Sequence, residues 1–167
     1  MGRPVPVTPS IAQFMRDLEQ AWEAHRHALL HGRDLQAALA PLAAEPTITH
    51  IPAMTGASGR QAVERFYADQ FLPHVPDDLT LRRISRTVDR WRLVDETTVS
   101  FTHDRELPWL LPGVEPTFRR AEVLAIAVVG FDRTRIRSQR VLWDHATLLG
   151  QLSLEAATAP AATGPAR

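Results

Sequence analysis

The stretch LVDETTVSFTHDREL (residues 93–107) decides the fold class. Its β-branched residues and its alternation read as a strand. Val99, Phe101 and His103 share one face, and Thr98, Ser100, Thr102 and Asp104 share the other. The same reading extends outward on both sides. LTLRRISRTVDRW (79–91) precedes it; FRRAEVLAIAVVGF (118–131) and IRSQRVLWDHATLL (136–149) follow, the last ending in a helical turn. DRTR (132–135) is a turn and PWLLPGVEPT (108–117) a loop.

Upstream the period changes. Ser10 is placed to cap a helix whose apolar stripe runs Ile11, Phe14, Met15, Leu18, Trp22, Leu29, with Gly32 closing it. A short second helix is expected over 34–44, capped by Asp34 and interrupted by Pro41. PTITHIP (46–52) reads as a short strand and TGASG (55–59) as a turn. Ser58 and Gln61 match a capping box that opens a helix bearing Val63, Phe66, Tyr67 and Phe71 on one face, closed by Pro73 and Pro76. Helices first and an antiparallel meander after them make the class α+β, with helices covering one face of the sheet. Residues 1–9 and the Ala/Pro-rich 154–167 read as flexible, leaving a single domain over 10–153.

Composition narrows the chemistry. The chain has 167 residues and zero formal net charge, which speaks against a nucleic-acid partner, since such proteins carry a basic excess. Cys, Lys and Asn are all absent. That excludes a thiolate nucleophile, a cysteine metal site and a Schiff-base lysine. No run of about 18 apolar residues occurs and no signal peptide opens the chain, so no membrane association and a cytoplasmic location are expected. HALLH (27–31) has the spacing of two zinc ligands on one helix but lacks the Glu of the zinc-protease motif, and reads as a solvated helix face. No metal or other cofactor is expected.

Several segments carry a family resemblance: THIP (49–52), the helix from Gly59 to Phe71 with its Phe66–Tyr67 pair, VDETTVSFTHDRELPWLLPGVEPT (94–117) and the Trp143–Asp144 pair of VLWDHATLLGQL (141–152). Together they resemble the NTF2-like superfamily and, within it, the SnoaL-like polyketide-cyclase branch. The resemblance covers about 45–152. It implies a cone: a strongly curved antiparallel sheet wrapped around N-terminal helices, with an internal cavity. It also implies a hydrophobic small-molecule ligand and a homodimer formed through the sheet. The superfamily holds isomerases, cyclases, epoxide hydrolases, dehydratases and non-catalytic binding domains, so fold sets no activity.

Within that cone, one member of each acid–base pair on the strands must face the helices. On the last strand Arg140, Leu142 and Asp144 share a face, opposite Val141, Trp143 and His145. The reading places Asp144 and His103 in the cavity as base and proton partner, with His50, Tyr67, Phe101, Trp22, Trp109, Trp143 and Leu142 as its lining. A carboxylate and an imidazole in an apolar hollow suit proton abstraction beside a carbonyl, and so cyclisation, isomerisation or dehydration of a polyketide- or terpenoid-like compound. The competing readings are a binding or dimerisation domain in which Asp144 is paired with Arg140 or Arg92, and an epoxide-opening enzyme. The apolar loop 108–117 is expected to act as a lid or an interface.

Overall fold

A computed structural model describes residues 10–154. The expected flexible segments, 1–9 and the tail from 155 onward, lie outside the described residues. Helix α1 (Ile11–His27) starts where the sequence predicts: Ser10 accepts a hydrogen bond from the Gln13 amide. Its buried stripe is Leu18, Trp22 and His25. The helix widens into a π-turn over Ala28–Gly32, and Arg33, in the left-handed region at φ 49°, ends it. Asp34 caps α2 through the Ala37 amide, but α2 spans only Leu35–Leu39.

Strand β1 (Leu42–Ile51) therefore begins earlier than expected. Pro46 sits where the pairing register shifts between Leu42 and Thr47, an irregularity that tolerates a residue without an N–H. TGASG is not a free turn: Thr55–Ser58 form β2, paired with β1. Gly56, at φ +135°, lies so close to the Ile48 carbonyl that a Cβ would overlap it. The predicted capping box is absent. Gly59 caps α3 (Arg60–Arg65) without a side-chain bond, and Ser58 Oγ instead meets Thr47 Oγ1 at 3.2 Å across the hairpin. Helix α3 continues through a π-turn (Phe66–Phe71) and a 3-10 turn (Leu72–His74).

The long strands follow: β3 (Thr80–Val88), β4 (Arg92–Thr102), β5 (Arg120–Asp132) and β6 (Arg135–Trp143), before helix α4 (His145–Gln151). The sheet order is β2-β1-β6-β5-β4-β3. Every pairing is antiparallel except β1–β6, which is parallel. The sheet is thus mixed rather than wholly antiparallel, because the chain returns from β5 to pair β6 with the first strand. Burial alternates along β4, where Leu93, Asp95, Thr97, Val99 and Phe101 turn inward, until Ser100 on the other face is buried as well. The helices cover that inner face, and their apolar residues join those of the strands in one core. None of the described helices is long and apolar enough to cross a membrane.

Candidate active site

Between α1, the inner sheet face and the loop after β4 lies an apolar hollow. Trp22, Leu29, Phe71, Val99, Trp109, Val141 and Trp143 form its greasy wall, and His50, Asp95, Thr97, Gln139 and Arg26 are its polar members. It encloses about 580 Å³ of non-atom space when its mouth is counted, of which about 70 Å³ is open to the centre of a water-sized sphere. At ~10–15 Å³ per water on that measure, the interior has room for about five waters, or for a small fused-ring compound. A longer guest would extend through the mouth.

Asp95 is the carboxylate of this hollow, and its side chain is only 1% exposed. Four hydrogen bonds hold it. Its Oδ2 accepts from Trp22 Nε1 (2.8 Å), Arg26 Nη1 (3.0 Å) and Arg86 Nη2 (2.7 Å), and its Oδ1 from Arg86 Nε (3.0 Å). Glu23 closes the cluster, paired to Arg26 at 2.9 Å and to Arg86 at 2.7 Å. Burial pushes the Glu23 carboxyl up, but the Arg86 and Arg26 guanidiniums more than reverse this and hold it below the usual range. For Arg86, partial burial opposes the charge, and the two carboxylates outweigh it, so its pKa is raised.

His50 stands on β1 among Phe66, Phe71, Trp109 and Trp143, with ring centroids 5.4–6.4 Å apart. With no charged partner among the described residues, burial lowers its pKa to about 4, so the ring is neutral near pH 7. Trp143 Nε1–H donates to His50 Nδ1 at 3.3 Å. Gln139 presents its amide from β6 and packs against His25 and Tyr67; His25 Nε2, the bare nitrogen of the neutral ring, accepts from the Tyr67 hydroxyl at 3.2 Å. His25 Nδ1–H in turn donates to the Ala38 carbonyl (2.8 Å), and burial lowers the pKa of its ring.

The expected residues divide. Trp22, His50, Trp109 and Trp143 line the hollow. Tyr67 is fully buried behind Gln139, its hydroxyl pKa raised by burial, and Phe101 packs in the core beyond Val99; neither is in the lining. The loop 108–117 is a wall: Trp109, Leu110 and Leu111 are buried, and the Trp109 carbonyl accepts from Thr55 Oγ1 at 2.6 Å.

Three assignments are corrected. Asp144 is exposed and caps α4, accepting from the Thr147 amide (3.1 Å) and hydroxyl (2.6 Å), and these bonds lower its pKa. It therefore neither faces the cavity nor pairs with Arg140 or Arg92. Leu142 is 40% exposed on the outer face. Both follow from one choice of face: Val141 and Trp143 turn inward, so alternation sends Arg140, Leu142 and Asp144 outward. His103 is buried, but beneath the end of the loop, with Nδ1 3.1 Å from Thr117 Oγ1 and no place in the cavity lining; burial lowers its pKa. His145 has an unpartnered Nδ1 and lies outside the lining as well.

Asp95, Arg26, Arg86 and Gln139 were missed. Asp95 had a signal: it extends the Val99–Phe101 face backward by two steps of two residues, a lone acid on an otherwise inward face. The arginines had none, since they come from α1 and β3 and meet Asp95 only through folding.

No family model matches the sequence, and neither does any curated protein. Solved structures do match. The chain is similar to an NTF2-like protein of unknown function from Burkholderia pseudomallei K96243, with TM-score 0.63 and 20% identity, covering 82% of this chain and 98% of that one. It is similar to a putative SnoaL-like polyketide cyclase from Jannaschia sp. CCS1, with TM-score 0.67 and 14% identity, covering 92% and 100%. An LEH-like epoxide hydrolase from M. tuberculosis gives 0.61 and 14%, covering 83% and 91%. The fold is the NTF2-like cone that the resemblance implied.

Proposed function

We propose that this NTF2-like chain is a cofactor-independent enzyme that moves a proton beside a carbonyl group of a hydrophobic, polyketide- or terpenoid-like small molecule. The outcome would be ring closure, double-bond migration or loss of water. One observation carries the reading: a single carboxylate among the described lining residues, Asp95, set into the wall of a mostly apolar hollow. Its two oxygens differ. Oδ2 takes three donors, while Oδ1 takes one and keeps a lone-pair site for a substrate proton. Arg86, Arg26 and Trp22 hold the carboxylate in one orientation, which is the positioning that proton transfer needs.

The test requires no knowledge of the natural substrate. In D2O, a bicyclic ketone such as 1-tetralone exchanges its α-protons for deuterium wherever a base removes them, and NMR follows the loss. The wild-type protein is expected to accelerate exchange over buffer, and Asp95→Asn to lower that acceleration about 10²–10⁴-fold. Wild-type exchange no faster than buffer across a series of cyclic ketones would refute the reading.

A second reading has its own support. Arg86 grips Asp95 through two parallel bonds, the geometry of a structural ion pair. The cone would then bind its guest without reaction, giving saturable binding and no deuterium uptake. The acid–arginine–acid run Asp95–Arg26–Glu23 is the one feature that suits an epoxide-opening activity, against which the absence of any Asn counts. A homodimer through the outer sheet face is also proposed. Val94 pairs with Val128 and Ile126 with Leu142 there, and Val94 and Leu142 remain 37% and 40% exposed. Sedimentation of wild type and Leu142→Glu would test it.

A further inference from the structure

Two donors on residues that line the hollow have no acceptor among the described residues. His50 Nε2 and Trp109 Nε1 are both buried and, among the described residues, both without a hydrogen-bond partner, and both residues line the cavity. Buried N–H groups are nearly always paired in folded proteins, so two orphans in one cavity need an explanation. Their donor character is set by chemistry. An indole N–H can only donate. Trp143 Nε1–H already donates to His50 Nδ1, so Nδ1 is the bare nitrogen of the neutral ring and Nε2 carries the hydrogen. The two rings are neighbours on the wall, with centroids 5.4 Å apart at 55°. Phe71 completes the surroundings, its centroid 4.8 Å from Trp109 and 5.8 Å from His50.

We infer that His50 and Trp109 form a two-donor seat for the carbonyl oxygen of an aromatic or fused-ring ketone, whose rings pack among Phe71, Trp109 and Trp143. The seat rests on the reading of the hollow as a substrate site; it does not require that any proton be moved there. If Asp95 does act as base, the electrons balance through the same oxygen. Oδ1 gains the α-proton, the C–H pair becomes the new C=C bond, and the carbonyl π pair moves to the oxygen held by the two N–H groups. Fixed donors aimed at such an oxygen favour the charge that develops on it.

The experiment uses 1-tetralone labelled at the carbonyl carbon, and tetralin as the same skeleton without oxygen. Difference infrared spectra of the wild-type complex should show the carbonyl band below its position in hexane. His50→Phe and Trp109→Phe should each move the band part of the way back. Each should also weaken ketone binding about tenfold while leaving tetralin binding within about twofold, the expectation for losing one hydrogen bond and keeping the packing. Asp95→Asn should keep the shifted band. Binding with the band at its hexane position overturns the seat alone, as does a shifted band that survives both ring substitutions, since bound water would then be the donor. Donor variants that lose tetralin as strongly as ketone also overturn it, because the rings would only fill space. A shifted band with no deuterium uptake by the wild type leaves the seat standing and overturns the proton-transfer reading. Failure of the wild type to bind either compound overturns both.

Discussion

Removing the Asp95 carboxylate tests the centre of the site through stability, independently of any substrate. In Asp95→Ala the Trp22 N–H loses its 2.8 Å acceptor, and a buried unsatisfied donor costs about 1–3 kcal/mol. Arg86, whose side chain is 7% exposed, loses both of its bonds to Asp95. Breaking a buried pair in this way costs roughly 3–5 kcal/mol when nothing replaces the lost partner. Here Glu23 remains 2.7 Å from Arg86 and 2.9 Å from Arg26, so the total should lie near the lower figure, about 3 kcal/mol. For a domain of this size that is a fall in melting temperature of roughly 6–12 °C. Asp95→Asn keeps one acceptor oxygen for Trp22 and should lose about half as much. Urea unfolding followed by tryptophan fluorescence measures both. A paired Asp95→Leu/Arg86→Met variant should recover much of the loss, because exchanging a buried ion pair for apolar side chains of similar size is often neutral. If Asp95→Ala unfolds within about 1 kcal/mol of wild type, the cluster does not hold the helix to the sheet, and the argument for a fixed base fails with it.

Acid should destabilise the fold through His50: the unfolded ring takes a proton near pH 6.5 and the folded ring only near pH 4, so its contribution is complete above about pH 6.5 and is lost as pH falls toward 4. At ~1.4 kcal/mol per pH unit this amounts to roughly 3 kcal/mol, and His50→Phe should remove that part of a stability-against-pH curve, leaving the slope due to His25 and His103, whose pKa values burial also lowers. Gly56→Ala should destabilise by about 2 kcal/mol or more in thermal unfolding, since its φ of +135° and the Ile48 carbonyl leave no room for a Cβ; an unchanged melting temperature would contradict the β1–β2 geometry. Asp144→Ala should lower the melting temperature slightly through loss of the α4 cap and leave ketone binding and deuterium exchange at wild-type levels; a large loss of either would return Asp144 to the site.

Local patterns could be read without coordinates because their physics is local. The caps at Ser10 and Asp34, the helical stripe of α1 and the alternation of β4 each depend on residues a few positions apart. Where the chain had two locally similar options, the reading went astray. TGAS could turn or pair, and it paired, antiparallel to Thr47–His50 of β1. Asp144 could face inward or cap a helix, and its bonds to Thr147 chose the cap. An Asp at the end of a strand and one residue before a helix satisfies both patterns equally well in one dimension.

By itself the sequence determined the class of fold, the helical and strand faces, and the exclusion of thiolate and lysine chemistry, all of which follow from residue identity and short-range period. The tertiary structure decided which face of each strand meets the helices, and therefore that Asp95 and not Asp144 enters the hollow. It also decided which cations meet that acid. Arg26, Arg86 and Asp95 lie on three different elements, and the attraction between them acts only after packing has brought those elements within a few ångströms and excluded water.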